Sequence, residues 1–239
     1  MKNFVKYILQ NVLGYHHYLL VFSKYKIRTL QKDAKEKDFF AFMDAIEKEG
    51  DIMDVGANIG IMTYHLAKRF PNRKVFAVEP MPDNFAILKE IVDTNQLTNV
   101  ELIPCAVGEK KEIIEMVLPL NGRVKMQGLA HVVHDSIDEW NEGERIEVNC
   151  VLLDEIAKER PIAGIKMDIE NFEYFALKGG RGILEKHQPV VYLELWENEN
   201  RDKCFELLRS LGYNAFVQVN DQLIPFDPLT HKKQNFIFK

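Results

Sequence analysis

From Asp51 onward, short and mostly apolar runs alternate with stretches in which apolar positions return every three or four residues. The runs Ile52–Val55, Val75–Val78 and Val100–Pro104 predict buried strands, and the stretches between them predict amphipathic helices. The first helix spans about Ile59 to Phe70, where Pro71 stops it. The second spans about Asp83 to Asn95, with Asp83 as N-cap ahead of Phe85, Ile87, Leu88 and Ile91. A βαβαβ run with such short connections is half of a doubly wound parallel sheet. The alternation resumes with strands Ile162–Met167 and Pro189–Leu195. Helices follow them at Phe172–Leu177, ended by Gly179 and Gly180, and at Arg201–Leu211, ended by Gly212. Tyr213–Val219 and Asn235–Phe238, separated by a turn region with Pro225 and Pro228, predict a closing antiparallel hairpin.

The middle and the start of the chain are patterned differently. Glu112–Leu118 and Arg145–Leu152 alternate as added strands, and Leu153–Arg160 reads as a short helix capped near Asp154. Residues 119–144 keep no period, so this segment is either a lid near a substrate or a decorated connection. Residues 1–48 form a helical extension: Phe4, Val5, Ile8, Leu9, Val12 and Leu13 recur at helical spacing, and Asp38–Lys48 leads into the first strand. The apolar run Tyr18–Phe22 is too short to span a bilayer, and no secretory cleavage site follows it. The division is therefore an extension at 1–48 and an α/β domain at 49–239 carrying a strand and loop insertion at 110–152.

Charge changes the picture of the extension. The chain as a whole has a net charge of −5, yet from Met1 to Lys37 Lys2, Lys6, Lys24, Lys26, Arg28, Lys32, Lys35 and Lys37 are opposed only by Asp33 and Glu36. The stripe either packs on the domain or a second subunit, or lies against an anionic membrane surface. The acidic balance excludes a broad basic face, so no nucleic-acid partner is expected. An apolar content of 46% over 239 residues is ordinary for a soluble core. Cys105, Cys150 and Cys204 are odd in number and far apart, which predicts buried thiols in a reducing cytoplasm rather than disulfides or zinc. A membrane-touching stripe would make that location peripheral.

The densest chemistry lies in DIMDVGANIG, residues 51–60. Gly56 permits a sharp turn after the strand, Gly60 a close helix-to-strand approach, and the helix start points amides at the crevice where such sheets bind ligands. Glu79, at the tip of the second strand, is placed to accept both hydroxyls of an adenosine ribose. A pyrophosphate-binding G-x-G-x-x-G needs glycine at 58 and 61, where the chain has Asn58 and Ile61, and no P-loop pattern is present. A cofactor with a ribose and no phosphate remains, and S-adenosylmethionine fits.

DVGANIG, then AVEP, LIPCAVG, IKMDIENFEYFALKGG and a late ELW strand, taken in order, resemble the FkbM family of S-adenosylmethionine-dependent methyltransferases from about Asp51 onward. The resemblance implies a Rossmann-like α/β methyltransferase fold with a seven-stranded, mostly parallel sheet. It also implies O-methylation of hydroxyls on sugars, glycans or related small molecules. Carried over, it implies that Asp54, Gly56, Asn58 and Gly60 hold the methionine end of the cofactor. Glu79 would take the ribose, with Pro80 and Met81 beside the adenine and Cys105 and Ala106 forming its other wall. Where the family has glycine after its D-x-E acid, this chain has Asn171, which tolerates φ > 0.

An alcohol acceptor needs its proton removed, and the base must project from a strand end on the cofactor side. Asp168 is the first candidate, then Glu170 and Glu194; Lys166, two residues before Asp168, is expected in a structural ion pair. His131 and His134 lack the intervening glutamate of H-E-x-x-H and are assigned to a substrate loop or the surface, with no metal. Two other classes stay open at this point: a non-catalytic module that binds the same cofactor, and a nicotinamide oxidoreductase, which the broken glycine pattern disfavours.

Overall fold

The computed structural model describes residues 10, 12–121, 124–134, 137 and 142–239, with the side chains of 121 and 124 excepted. The apolar positions expected at Phe4, Val5, Ile8 and Leu9 lie outside the described residues. The extension contributes helix α1 (Tyr15–Thr29), two 3-10 turns (Leu30–Lys32 and Ala34–Glu36) and α2 (Lys37–Ala45). Then come β1 (Asp51–Val55), α3 (Ile61–Arg69), β2 (Val75–Val78), α4 (Pro82–Thr94) and β3 (Val100–Ile103). The insertion holds β4 (Ala106–Val107), β5 (Glu112–Asn121), β6 (Val124–Lys125), β7 (His131–Val132) and β8 (Gly143–Val151). The second half runs α5 (Leu153–Ala157), β9 (Ile162–Met167), α6 (Glu173–Gly179), α7 (Arg181–His187), β10 (Val190–Glu194) and α8 (Glu199–Ser210). It closes with β11 (Ala215–Val219), β12 (Gln222–Pro225) and β13 (Asn235–Phe238).

The main sheet has the order β12-β11-β13-β10-β9-β1-β2-β3. Strands β3, β2, β1, β9 and β10 are parallel, and β13 runs antiparallel between β10 and β11. Seven of these strands are the expected ones. The eighth, β12, occupies part of the segment read as a turn and pairs antiparallel with β11. Its Pro225 is tolerated because β12 is an edge strand, where a missing N–H costs no ladder bond. β1 pairs with β2 on one side and β9 on the other, so the order of the chain reverses beside β1. The carboxyl ends of β1 and β9 are the switch point at which doubly wound sheets bind ligands.

The period-two pattern places alternate residues on opposite faces. Met53, Val55, Phe76, Val78, Ile165 and Met167 pack with α5–α8, while Ile52, Val75, Ala77, Ala163 and Tyr192 pack with α2–α4. The extension is thus part of the core. Phe39 and Phe42 are fully buried, with ring centroids 6.3 and 5.6 Å from that of Tyr192. α1 packs its Tyr18 and Leu19 on Ile59, Ile87 and Ile91, leaving Val21 and Tyr25 exposed. Among the described residues no helix is long and apolar enough to cross a membrane.

Three local expectations are corrected. Asp83 is not the N-cap of α4: Met81 is, with Pro82 opening the helix and Asp83 in its first turn, where an acid still favours the dipole. Asp154 caps a different helix, its carboxylate accepting from Gly182 N (3.0 Å) and Ile183 N (2.8 Å) of α7. That helix was hidden because Gly179 and Gly180 read as an end, although α7 starts directly after them.

Because Phe42 seals the sheet face beneath α2, Phe42→Ala should cost about 3–5 kcal/mol in urea unfolding. A loss below about 1 kcal/mol would mean that the extension is not core.

Candidate functional site

The turn after β1 is built from three left-handed residues, Gly56 (φ 75°), Asn58 (φ 49°) and Gly60 (φ 81°). At Gly56 the demand is steric: a Cβ there would lie 2.0 Å from the carbonyl oxygen of Asp168. The glycine therefore lets the tips of β1 and β9 touch, a reason the sequence did not disclose. Asp168 N donates to Val55 O (3.2 Å), and Lys166 Nζ donates to Gly56 O (2.8 Å). At Gly60 a Cβ would sit 3.1 Å from Leu88 Cδ1, which fits helix packing.

Glu79 is buried at the tip of β2. Its Oε2 accepts from Asn58 N (2.8 Å), and its Oε1 from Met81 N (2.9 Å) and Asn84 Nδ2 (3.3 Å). Burial pushes the carboxyl up to about 7, against these hydrogen bonds and the charge of Lys166. The backbone of the glycine turn and the acid are thus one unit, since the Asn58 amide is spent on Glu79.

A single pocket at this edge is lined by Gly56, Asn58, Glu79, Pro80, Met81, Cys105 and Ala106 from the first half of the sheet. Asp168, Ile169, Glu170 and Phe172 line it from the β9 end, and Met116, Gln127, Gly128, Ala130 and Val132 from the insertion. All the expected cofactor residues except Asp54 and Gly60 line it. Asp54 faces the opposite side of β1, fully buried, with Oδ2 accepting from Thr63 Oγ1 (2.6 Å) and Oδ1 3.3 Å from Lys166 Nζ. This is the ion pair expected of Lys166, whose charge is favoured by Asp54, Asp168 and Glu194 against the cost of burial. Two buried side-chain oxygens of residues lining the pocket, Asn58 Oδ1 and Gln127 Oε1, have no hydrogen-bond partner among the described residues. A lining that is apolar beside Met81, Cys105 and Ala106, with a buried acid at the tip of β2 and orphaned amide oxygens, fits an adenosine cofactor.

The second half of the pocket is acidic. Burial raises the carboxyl of Asp168, an effect Lys166 opposes and Asp54 reinforces. Burial, with Asp168 and Glu194 adding to it, pushes Glu170 up to about 9. Glu194 rises to about 7, chiefly through the charge of Asp168 and then through burial. Asp168 and Glu170 line the pocket; Glu194 stands at the end of β10 outside its lining, within electrostatic reach of Asp168. Glu170 (φ 55°) and Asn171 (φ 76°) are both left-handed, so the turn that glycine would make survives with asparagine. Asn171 is held by Asn198 Nδ2 on its Oδ1 (2.8 Å) and Asn200 Nδ2 on its carbonyl (3.1 Å), while Glu173 accepts from Ile169 N (2.9 Å) and closes the turn.

Other residues fall where the pattern did not point. Glu36 ends the 3-10 turn before α2, a helix that runs down the sheet from the ligand edge to Ile46 beneath Gly164. Burial raises its carboxyl, Lys26 lowers it, and Asp33 and Asp168 raise it again. The extension thus brings a fourth acid toward Asp168. The only sequence signal was its oddity, an acid in a basic segment. The aperiodic stretch after Pro119 does border the pocket through Gln127, Gly128, Ala130 and Val132. His131 Nδ1–H donates to Leu129 O (2.8 Å), and His134 packs on the rings of Phe172 and Phe175. Among the described residues no group of three or more metal-ligating side chains forms. The three cysteines are buried, and burial pushes Cys105 up to about 12 and Cys150 to about 11, as inert thiols.

A buried acid at the tip of β2 without a pyrophosphate cradle, on this strand order, fits a Rossmann-like protein for a nucleoside cofactor. A model of the methyltransferase FkbM domain matches residues 54–223. Among curated proteins the chain is similar to methyltransferase 1 of Beauveria bassiana, 22% identical over 193 residues, covering 73% of this chain and 76% of that one. It is similar too to methyltransferase sdnD of Sordaria araneosa, 22% identical over 192 residues, 68% of this chain and 73% of that one. Among solved structures it shares its fold with methyltransferase FkbM from Methylobacillus flagellatus at a TM-score of 0.53 and 18% identity. That match covers 80% of this chain and 43% of that one, so the chain spans less than half of that protein's length. The chain belongs to the FkbM methyltransferase domain family, and its cofactor is S-adenosylmethionine.

Burial also makes the site pH-sensitive. Glu79, Glu194, Glu173 and Glu170 move from 4.5 to about 7, 7, 8 and 9 on folding, so the folded state binds more protons than the unfolded one between pH 5 and 9. Their stabilising contribution is complete below pH 4.5 and is lost as pH rises through the folded values. The melting temperature of the ligand-free protein should fall from pH 5.5 to 8.5, less steeply in Glu170→Gln. A flat or rising profile would refute these shifts.

Proposed function

We propose that this chain methylates a hydroxyl group of a sugar, glycan or related small molecule in the cytoplasm, with Asp168 as general base. The carrying observation is that one pocket joins Glu79 to Asp168, with an adenosine-compatible half and an acidic half. Bound S-adenosylmethionine supplies an electrophilic methyl group on a positively charged sulfur. Glu79, oriented by the Asn58 backbone N–H, holds the ribose, and Met81, Cys105 and Ala106 enclose the base. Glu170, protonated at neutral pH with its carboxyl at about 9, serves as a hydrogen-bond donor and not as the base. Asp168 takes the acceptor's proton on a carboxylate oxygen. Fixing an acceptor in near-attack geometry is worth about 7–11 kcal/mol, and a positioned base adds about 10²–10⁴-fold.

The base must be ionised and burial raises the Asp168 carboxyl, so turnover should rise with pH on a limb above the ordinary carboxylate range, the neighbouring Glu194 losing its proton at about 7. Glu194→Gln, which removes a like charge, should move that limb to lower pH.

The direct experiment screens methyl transfer from labelled cofactor to saccharides and lipid-linked glycans. Asp168→Asn should lower kcat about 10²–10⁴-fold and change cofactor Kd less than about twofold. Tight cofactor binding with no turnover on any acceptor class would make the chain a binding module instead.

A further inference from the structure

Gln127 opens the 3-10 turn Gln127–Leu129 of the insertion and is 8% exposed. Gln127 lines the pocket, and its buried Oε1 has no hydrogen-bond partner among the described residues. A buried amide oxygen left without a donor is unfavourable, so its partner belongs to what fills the pocket.

The segment leading to Gln127 is tied to one side of that pocket. Lys125 Nζ lies 3.8 Å from Asp83 Oδ2 in the first turn of α4, two residues beyond Met81, and 3.0 Å from Glu144 Oε2. The same ammonium sits 5.0 Å from the ring centroid of Tyr15, and the Lys125 carbonyl accepts from Gln10 Nε2 (3.3 Å). Met126 N donates to Pro119 O (3.0 Å), which fixes the turn on β5. Around it, Met116 and Val132 pack with Met81 and Ala106 in one apolar cluster. The turn is therefore anchored above the Glu79–Met81 corner and away from the end of β10.

We propose that Gln127 reads the base of the cofactor, its Oε1 accepting from the exocyclic amino group of adenine. An adenine edge offers one donor beside one acceptor, the pattern a side-chain amide matches. The insertion is then part of the cofactor site, braced by the N-terminal extension through Gln10 and Tyr15. This inference rests on the pocket being that of S-adenosylmethionine.

The test is calorimetric. S-adenosylhomocysteine and its inosine counterpart, in which the amino group is replaced by a carbonyl, are titrated into the full chain. The wild type should prefer the adenosine ligand about five- to a hundredfold. Gln127→Ala should weaken that ligand toward the affinity of the inosine form, which should itself change less than about threefold. Gln127→Glu keeps the acceptor oxygen and should keep the preference, even where both affinities fall. Equal weakening of both ligands by Gln127→Ala, or no weakening of either, would overturn the base-reading role while leaving the cofactor assignment intact. A wild type that binds neither ligand would overturn the cofactor assignment itself, and this role with it.

Discussion

The contact between the tips of β1 and β9 is the constraint on which the site depends. The Asp168 carbonyl occupies the place where any side chain at residue 56 would begin. Lys166, 3% exposed, then fastens the two strands, with Asp54 opposite its charge and the Gly56 carbonyl accepting its proton. A buried ammonium is costly unless paired, and breaking such a pair from one side leaves an uncompensated charge. This cross-strand clamp explains why Asp54 can be buried, outside the pocket, and still be needed for its shape. It holds the start of the glycine turn and the start of the acidic turn at fixed separation.

Two electrostatic regimes meet across that clamp. On the β2 side a single carboxyl, Glu79, accepts from two backbone amides and is raised by burial. On the β9 and β10 side several carboxyls crowd together and raise one another, with Lys166 the nearby cation already committed to Asp54. The first arrangement leaves one acid among hydrogen-bond donors, and the second raises several carboxyls above their ordinary range. The extension contributes to both: the turn before α2 brings Glu36 toward Asp168, and Gln10 and Tyr15 brace the insertion at Lys125.

Much of this was legible in the sequence because it follows from local pattern. Strand ends, the glycine turn, the acid at the tip of β2 and the acids after Ile162–Met167 sit in runs whose period or glycine spacing announces them. What was hidden depends on tertiary contact. Gly56 proved to be a packing requirement toward Asp168, which lies far along the chain. Asp154 looked like the cap of its own helix and caps another. β12 contains a proline and is short, so only its edge position makes it a strand. Residues 119–144 read as aperiodic because β6 and β7, two residues each, are too short to alternate and are strands only by pairing with β5, and Gln127 gives no pattern at all.

The central claim is that Glu79 makes this pocket an adenosine site. The decisive measurement is the calorimetric Kd of S-adenosylhomocysteine for Glu79→Gln against wild type at pH 8, where the native carboxylate is ionised, with melting curves establishing that both are folded. Loss of a charged acceptor to buried ligand hydroxyls should weaken binding about ten- to a hundredfold. An unchanged Kd in a folded variant would contradict the account.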